Sequence, residues 1–575
     1  MIAHDRTRLI DLLAFAFLNL SPNFGVFCFR RSVLKKNDTV TLDITAMSAE
    51  GSGIGRVDDT VVFVPFSAVG DRVEALIVKV KKSFCFGKLI RIISPSKDRV
   101  EPDCPVFSKC GGCAFRHISY EAELEIKRRR VEDCVRRIGG LAAKVHDVCS
   151  DGRTDSYRNK SQYPVGRDEF GALSGFYALH SHRIIECERC RLLPKEFDVI
   201  RKCVLDFMKK AKIAPYDEQT GRGVMRHIYL RKSAHTGQIM VCAVINADGL
   251  FDEQGFVEAV TAADNSVSTV LLNINKERSN VILGGETRTI FGSGYITDRL
   301  CGMDFQIAAG SFFQVNRNMA QLLYEKARSL CEPSGKTVLD LYCGAGTIGL
   351  TMAESAKRVI GVEIVPQAVE DAVKNAERNG IDNAEFICGS APDAAAALLE
   401  RGIKADAVIV DPPRKGLTPE LVSTIASGFA PERVVYISCD PATLARDLKQ
   451  FSSLGYSADD VYPFDLFPRT SHVETVCLLS KLHEAKHHIN VKVDMDELDL
   501  TSAEAKVTYK EIEEWVQEHY GFHVTNLNIA QVKQKHGIIE RENYNKPKSE
   551  NNRQPGCPEE KVKAIEDALR HFQMI

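Results

Sequence analysis

One cysteine occupies an unusual position in the segment VVYISCDPATLARDL, residues 434–448. The apolar run 434–437 ends abruptly in the tetrapeptide SCDP, and a helical pattern follows. A structural cysteine is expected inside a buried strand rather than at its end, because a free thiol packs as a small hydrophobic group. A thiol at a strand end can instead act as a nucleophile, so Cys439 is a catalytic candidate. Incidental packing or redox exposure is the alternative.

A candidate general base follows in PRTSHVETVCLLSK, residues 468–481. Glu474 begins an apolar strand pattern among Val and Thr residues, and such surroundings predict a raised pKa. A solvent-exposed carboxylate is the alternative for an isolated glutamate. Addition of a thiolate to C6 of uracil makes C5 reactive toward a sulfonium methyl group, and a base must then remove the C5 proton. Cys439 and Glu474 are the residue types that this chemistry requires.

A glycine-rich turn in TVLDLYCGAGTIGL, residues 337–350, predicts a nucleotide-like ligand. The spacing Gly344-x-Gly346-x-x-Gly349 matches the dinucleotide fingerprint, with Glu363 at the end of the next strand to bind ribose hydroxyls. S-adenosylmethionine requires the same tight turn and the same carboxylate. The segment AVIVDPPRKG places Asp411 and two prolines at a later strand end. Hydride transfer does not call for that loop, so the sequence favours S-adenosylmethionine over NAD.

A cysteine cluster precedes these motifs. Cys104, Cys110 and Cys113 lie close together, with two glycines between the last two, and IIECERCRLLP offers Cys187 or Cys190 as a fourth ligand. Three ligands plus a distant fourth is a common arrangement for [4Fe–4S] clusters. Structural zinc and ordinary free thiols are the alternatives.

Alternating strand and helix patterns from residue 302 to 482 predict a doubly wound, Rossmann-like parallel α/β sheet, which would bring these strand ends to one edge. Short strands between residues 40 and 93 predict a small closed, OB-like barrel. Its basic residues, interleaved with aromatics, suit RNA contact or form a solvated edge. These residues are Lys79, Lys81, Lys82, Lys88, Arg91, Phe84 and Phe86. A mixed α+β region separates the barrel from the α/β sheet.

Composition limits the class of protein. A chain of 575 residues is too long for a single core. The net charge of −2 argues against indiscriminate coating of nucleic acid. The 18 cysteines are scattered and follow no secretory signal, which predicts reduced thiols and a cytoplasmic location, and no apolar run is long enough for a membrane span. The expected segments are 1–33 (unassigned), 34–93 (barrel), 94–300 (central domain), 301–482 (methyltransferase domain) and 483–575 (accessory segment).

Six motifs, in order, resemble the RNA 5-methyluridine methyltransferase family. They are GSFFQVN, LDLYCGAGTIGL, VIGVEIV, DPPRKG, SCDPATLARDL and SHVETV. The barrel is similar to a TRAM domain, which binds RNA. With the cysteine motif, the resemblance is to the iron–sulfur members that methylate 23S ribosomal RNA, and it covers roughly residues 35–482. The family commonly has asparagine where Asp440 stands, and this change is not expected to abolish activity.

The resemblance implies a role for each motif residue. Cys439 is the expected nucleophile and Glu474 the base. S-adenosylmethionine is expected on Gln314, Tyr342, Glu363 and Asp411. A [4Fe–4S] cluster is expected on Cys104, Cys110, Cys113 and Cys190, with Cys190 preferred over Cys187 because a Leu/Pro-rich turn follows it. The expected partner is ribosomal RNA with a flipped-out uridine, bound by a monomer that needs no membrane or protein partner.

Three functional interpretations remain open at this stage. The first is methylation of uracil C5 in 23S ribosomal RNA. The second is a methyltransferase of the same fold with another target, such as transfer RNA or cytosine. The third is a non-enzymatic iron–sulfur RNA-binding protein that senses redox state. Residues 156–160, SYRNK, are a candidate grip for RNA or, alternatively, a surface turn.

Overall fold

The computed structural model describes residues 34–482, 509–536 and 557–572. These residues belong to two compact units that divide after His483. The N-terminal extension 1–33 lies outside the described residues.

Five short strands close into a barrel at the start of the first unit, as the glycine-punctuated pattern predicts. Their bounds are β1 (Thr39–Met47), β2 (Ser52–Val57), β3 (Thr60–Pro65), β4 (Arg72–Val80) and β5 (Phe84–Ser94). The order around the barrel is β1-β2-β3-β5-β4. Alternate residues point inward, and Leu42, Ile44, Val62 and Val73 form part of a buried core.

The barrel surface corrects one expectation from the sequence. The ring of Phe84 is only 4% exposed and packs against Phe63 and Phe86 at centroid distances of 5.5 Å, so it is not free to stack on a base. Lys79, Lys81, Lys82 and Lys88 are exposed. Arg91 is also exposed, but its guanidinium pairs with Glu74 at 2.8 Å. The four lysines, rather than the Phe84 ring, are therefore accessible on this face, and Phe86 is half-buried.

A seven-stranded sheet with two helices forms the central region. A charged helix precedes the sheet and continues into a short π-helical segment, Val135–Gly139. The elements are α1 (Tyr120–Cys134), β6 (Lys144–Val145), β7 (Lys160–Asp168), β8 (Gly171–Tyr177), β9 (Ile184–Glu186), α2 (Lys195–Lys210), β10 (Met225–Lys232), β11 (Ile239–Ile245), α3 (Glu253–Ala263), β12 (Val267–Ile274) and β13 (Glu286–Gly292). The strand order in the sheet is β13-β12-β11-β10-β7-β8-β9.

The remainder of the first unit is an α/β fold. After the hairpin of β14 (Ile296–Leu300) and β15 (Met303–Ile307), strands and helices alternate to residue 481. They are α4 (Arg317–Cys331), β16 (Thr337–Leu341), α5 (Thr347–Ala353), β17 (Arg358–Glu363), α6 (Pro366–Arg378), β18 (Ala384–Cys388), α7 (Ala391–Glu400), β19 (Ala407–Val410), α8 (Pro419–Ser423), a π-helical segment (Thr424–Phe429), β20 (Arg433–Ser438), α9 (Pro441–Ser453), β21 (Tyr456–Ser457), β22 (Asp460–Phe464) and β23 (Glu474–Lys481).

The sheet of this fold has the order β18-β17-β16-β19-β20-β23-β22-β6, with β21 beside β23. Strands β16 to β20 are mutually parallel, as their near-continuous apolar sequences predict for strands covered on both faces. The last strand, β23, runs antiparallel between β20 and β22. This reversal, which the strand pattern alone does not reveal, decides the geometry of the candidate site.

The second unit contains three helices in its described residues: α10 (Tyr509–Tyr520), α11 (Asn526–Lys535) and α12 (Glu559–His571). They share a small core that includes Ile512, Val516, Ile529 and Ile565. The stretch TYKEIEEWVQEHYG and the last residues of the chain each predict a helix, and these correspond to α10 and α12, whereas α11 is not predicted. The polar stretch between the two predicted helices, residues 542–561, predicts a linker, and most of it lies outside the described residues. Over the described parts of both units, no helix has the length and apolarity to cross a membrane.

A buried ion cluster ties α1 to the loop that precedes β23. Lys127 Nζ donates to Glu123 Oε1 and to Asp465 Oδ1, both at 2.7 Å. All three side chains are at most 1% exposed. Burial raises the pKa of Glu123. Because two carboxylates share this buried ammonium group, removing the cation would leave uncompensated negative charge in the core.

Lys127→Met is therefore expected to destabilise the first unit by about 3–5 kcal/mol, the cost of breaking a buried pair. Denaturant unfolding followed by far-ultraviolet circular dichroism measures this loss. The fluorescence of Trp515 is unsuitable because that residue lies in the second unit. Arg128→Met is the matched control, since Arg128 is on the same helix and pairs with Glu125 at the surface. Equal unfolding midpoints for the two variants would contradict this assignment.

Candidate active site

Parallel strands bring the predicted ligand-binding residues to one edge of the α/β sheet. Leu341 of β16 pairs with Val362 of β17 on one side and with Val410 of β19 on the other. The next residue of each strand is therefore Tyr342, Glu363 or Asp411, and the three stand side by side at the carboxyl edge. This edge is where ligands bind in open α/β sheets.

Cys439 and Glu474 meet at the same edge, although β20 and β23 run in opposite directions. The last registered pair of these strands is Ser438 with Thr475. Cys439 follows Ser438 and Glu474 precedes Thr475, so the two are opposed across the neighbouring strands. The hydroxyl of Thr475 also donates to the carbonyl oxygen of Ser438 at 3.1 Å and fixes this register.

A helix cap fixes the backbone around Cys439. Asp440 is the N-cap of α9, and its Oδ1 accepts the backbone N–H groups of Ala442 and Thr443 at 2.9 and 3.0 Å. Pro441 occupies the first turn, where its missing N–H leaves no bond unmade. Asparagine caps helices as well as aspartate does. Aspartate at position 440, where the family commonly has asparagine, therefore preserves the helix cap.

The electrostatics of the pair oppose charge on both groups. Burial, with a contribution from Asp411, raises the pKa of Glu474 to about 8. Burial, with contributions from Glu474 and Asp411, raises the pKa of Cys439 to about 11. The pKa of Asp411 is itself raised to about 7 by burial. Glu474 thus has the raised pKa that its apolar neighbours predict, near the range in which a general base works.

The glycine turn has the close approaches that its spacing predicts. Gly346 adopts φ +77°, a conformation that favours glycine. A Cβ on Gly349 would lie 2.8 Å from Oδ2 of Asp340, which accepts the Gly349 N–H. Burial raises the pKa of Asp340 to about 8. Asp340 is not among the residues predicted from the sequence, although a single acidic residue inside the apolar run VLDLY is a signal that could have identified it.

The second half of the ligand cradle lies around Glu363. Its carboxylate accepts the N–H groups of Gly344 and Val365 at 3.1 and 2.9 Å, which holds it beside the glycine turn. Ile364 and Val365 follow it and are 64% and 50% exposed. A carboxylate for ribose hydroxyls next to uncovered apolar side chains suited to a purine fits S-adenosylmethionine.

The loop that carries Gln314 is fixed by the central sheet. Asn159 donates from Nδ2 to the carbonyl oxygen of Gln314 at 2.9 Å. Arg231 Nη1 donates to the carbonyl oxygens of Ala308 and Ser311, both at 2.9 Å. Gln314 is half-buried beside this anchor. Arg231 is 77 and 80 residues away in sequence from the two residues it binds, and Asn159 is 155 residues away from Gln314, so the local sequence pattern does not predict these anchors.

The loop before Glu474, residues 465–473, is also fixed by the central region. Tyr157 donates from its hydroxyl to the carbonyl oxygen of Pro468 at 3.0 Å, and Arg130 donates to that of Ser471 at 2.7 Å. The Ala114 N–H, next to Cys113, donates to the carbonyl oxygen of Arg469 at 2.8 Å. This hydrogen bond joins the cysteine motif directly to the loop that precedes Glu474.

Five thiols gather in the region of the cysteine motif. Cys104 hydrogen-bonds with Cys187, which lowers the pKa of Cys104 to about 6. Burial raises the pKa of Cys113 to about 11 and that of Cys190 to about 12, with smaller contributions from Cys110. The predicted set and Cys187 thus lie within electrostatic range of one another.

In residues 34–482, 509–536 and 557–572, no group of three or more His, Cys, Asp or Glu side chains is placed to hold a metal ion. Thiolates are the donors of both iron–sulfur clusters and structural zinc, so the predicted set is chemically compatible with either group.

Comparison with protein families gives two matches. Residues 119–482 match the tRNA (Uracil-5-)-methyltransferase family, and residues 34–90 match the TRAM domain. The first match covers most of the chain, and it contains the glycine turn and both residues of the opposed pair. The second coincides with the five-stranded barrel.

Relatives of similar length support the same assignment. An RNA methyltransferase of Halalkalibacterium halodurans, described as uncharacterised, is 41% identical over 452 residues, which is 78% of this chain and 98% of the relative. A similarly described protein of Listeria monocytogenes is 42% identical over 450 residues, 78% of this chain and 99% of the relative.

Among solved structures, the tRNA (uracil-54, C5)-methyltransferase of Pyrococcus abyssi in complex with S-adenosyl-L-homocysteine is similar. Its TM-score is 0.61 with 28% identity, over 76% of this chain and 99% of that one. The α/β fold and the five-stranded barrel agree with these matches. The chain belongs to the S-adenosylmethionine-dependent RNA (uracil-5-)-methyltransferase family and carries a TRAM domain.

Proposed function

We propose that this protein methylates C5 of a uridine in 23S ribosomal RNA through a covalent adduct with Cys439. The observation that carries the proposal is the opposition of Cys439 and Glu474 at the edge that also holds the glycine turn. A nucleophile and a base at one ligand-binding edge are the two groups that C5 methylation of uracil requires.

Cys439 begins the reaction. Its Sγ, as thiolate, bonds to C6 of the uracil ring, and the electron pair of the C5–C6 double bond moves to C5 and the O4 carbonyl. Bound S-adenosylmethionine supplies the electrophilic methyl group that C5 takes up. The N-terminus of α9 follows Cys439 and favours negative charge on the sulfur, whereas the Asp440 carboxylate that caps it acts in the opposite direction. Arg414 also favours the thiolate.

Glu474 completes the reaction. After methyl transfer, C5 carries one proton too many, and the Glu474 carboxylate takes it. The C5–H electrons reform the double bond, the C6–S bond breaks, and Cys439 leaves as thiolate. The pKa of Glu474 is about 8, so at a pH above that value the carboxylate is ionised and can act as a base. Asp411, with its carboxyl in the same pocket, would bind an N–H of the uracil ring or of the methyl donor.

The proposed ligand set for S-adenosylmethionine is Gln314, Tyr342, Glu363 and Asp411. The Glu363 carboxylate would bind the ribose hydroxyls, and Ile364 would cover one face of the adenine. The proposed cluster ligands are Cys104, Cys110, Cys113 and Cys190, and the cluster would hold the cysteine loop in a fixed conformation. Cys190 is preferred to Cys187 because the Leu/Pro-rich turn after it resembles the family pattern, and because the Cys187 thiol donates to the carbonyl oxygen of Arg189 at 3.0 Å.

Ribosomal RNA is proposed because the cysteine motif and the barrel occur together, as in the iron–sulfur members that the sequence resembles. Transfer RNA is the second candidate, favoured by the structural similarity to the Pyrococcus abyssi tRNA methyltransferase over almost all of that chain. Methylation of 23S ribosomal RNA and of total transfer RNA, both isolated from a strain that lacks the enzyme, distinguishes the two by mapping of 5-methyluridine.

RNA that contains 5-fluorouridine is expected to trap the Cys439 adduct, because Glu474 cannot remove fluorine as it removes a proton. A complex that survives denaturing electrophoresis should form only when S-adenosylmethionine is present. Cys439→Ala should give no complex and no methyl transfer. Cys203→Ala is the control, because that half-buried thiol lies on α2, away from the sheet edge. Trapping by the Cys439→Ala variant would refute the assignment of the nucleophile.

Glu474→Gln is expected to make Cys439 more reactive at high pH while it stalls turnover. Above the Glu474 pKa of about 8 the carboxylate is charged and suppresses the thiolate, so a neutral amide should speed alkylation by iodoacetamide several-fold. Well below that pKa both proteins carry a neutral group, and their rates should be equal. Mass spectrometry of the Cys439 peptide measures both rates. Slower alkylation of the variant above pH 8 would contradict the electrostatic account.

Replacement of Cys190 and Cys187 separates the cluster ligands. Protein purified without oxygen should show broad visible absorption from iron–sulfur charge transfer and four irons per chain. Cys190→Ala should lose most of the iron, whereas Cys187→Ala should retain it. Iron retained by Cys190→Ala but lost by Cys187→Ala would reverse the choice of the fourth ligand, and zinc in place of iron would exclude the cluster.

A further inference from the structure

Three cations lie together where the central sheet meets the loop of Gln314. Lys160 of β7 is directly opposed to Arg231 of β10 in the antiparallel register. Arg158 lies two residues before Lys160, and both are half-buried while Tyr157 and Asn159 between and beside them are buried. Arg158, Lys160 and Arg231 are called the basic row below.

The basic row has no counter-charge in the described chain. None of its three side chains forms an ion pair with a carboxylate of residues 34–482, 509–536 or 557–572. Arg231 is 1% exposed, and its Nε and Nη2 have no hydrogen-bond partner. Like charges directly opposed across strands are destabilising. An uncompensated buried cation is costly unless an anion joins it.

The basic row lies next to the candidate active site. Arg158 is among the four cations that, together with desolvation, lower the pKa of His472 to about 4, and His472 lies two residues before Glu474. Asn159, between Arg158 and Lys160, bonds to the backbone of Gln314 and Val315. The positive charge therefore begins beside the base and continues along the loop of the methyl donor.

We propose that the basic row binds a backbone phosphate of the RNA next to the target uridine, an inference that rests on the proposed function. Lys160 and Arg158 would contact the phosphate, and Arg231 would add its charge from below while it holds the Gln314 loop. A nucleotide that is flipped out of a stem must bring its flanking phosphates to the mouth of the pocket. Phosphate contacts of this kind fix position and carry no sequence information.

The location also distinguishes the two interpretations of residues 156–160, an RNA-binding segment or a surface turn. As a surface turn, its cations would be exposed. In the structure Arg158 and Lys160 are half-buried, and Lys160 is opposed to Arg231. Burial, together with the nearby charges of Arg231 and Arg158, lowers the pKa of Lys160 to about 8. Such a site favours a strongly acidic ligand, since a bound phosphodiester would return Lys160 to its charged form.

The test is the salt dependence of RNA binding by the full-length protein. The probe is a short RNA stem–loop with one loop uridine, and its dissociation constant is measured over a range of KCl concentrations. Lys160→Met should weaken binding about tenfold, the value of a charge-assisted hydrogen bond. It should also reduce the slope of log Kd against log salt by about 0.7, one single-strand phosphate contact. Lys160→Arg should restore both, and Lys209→Met, an exposed lysine on α2, should resemble the wild type.

Two further measurements separate this inference from its alternatives. Affinity for S-adenosylmethionine alone should be unchanged in Lys160→Met, and a loss would assign the row to the carboxylate of the methyl donor and overturn the proposal. An unchanged salt slope would also overturn it. If wild-type protein forms the adduct with 5-fluorouridine in the same stem–loop, but the salt slopes of wild type and Lys160→Met are equal, only the proposed phosphate site is refuted. If no adduct forms, the proposed function fails, whatever the slopes show.

Discussion

The direction of the last strand is the constraint on which the site depends. Because β23 runs antiparallel to β20, its first residue lies at the edge where β20 ends. A parallel β23 would place Glu474 at the opposite edge of the sheet, a full strand length from Cys439. The antiparallel insertion thus brings Cys439, Glu474 and the glycine turn to one edge of the sheet. The hydrogen bond from Thr475 to Ser438 holds the register that opposes the two groups.

Two loops complete the site, and both are fixed by the region between the barrel and the α/β fold. The Gln314 loop accepts hydrogen bonds from Asn159 and Arg231. The loop before Glu474 is held by the buried Lys127 with its two carboxylates, and by a backbone hydrogen bond from Ala114. The central region therefore does more than connect two domains. It fixes the loop of Gln314 and the loop before Glu474, and its cysteine motif adjoins the second of these loops directly.

Local patterns in the sequence predict a large part of this structure. Apolar strands that alternate with helices predict the parallel sheet, and the turn from Gly344 to Gly349 predicts a cradle beside Glu363. The SCDP segment predicts a thiol at a strand end because a helix cap and a proline must follow a strand there. Glu474 among Val and Thr predicts a raised pKa. Each of these signals lies within a few neighbouring residues.

Features that depend on distant parts of the chain were not predictable in this way. Strand direction in β23, the burial of Lys127 against Asp465, and the pairing of Lys160 with Arg231 join residues far apart in sequence. Phe84 shows the converse error, since its basic neighbours suggest an exposed ring that the barrel in fact buries against Phe63. Asp340 was not predicted because an acidic residue only interrupts the apolar pattern of a buried strand. Its role as acceptor of the Gly349 N–H becomes evident only in the structure.

The most direct test of the central claim follows the C5 hydrogen of the substrate. RNA made with uridine tritiated at C5 is incubated with the protein and S-adenosylmethionine carrying a labelled methyl group, and both labels are counted. The account predicts one tritium released to water for each methyl transferred, because Glu474 must remove that hydrogen before Cys439 leaves. Methyl transfer without release of tritium would show that C5 of uracil is not the site of reaction and would contradict the account.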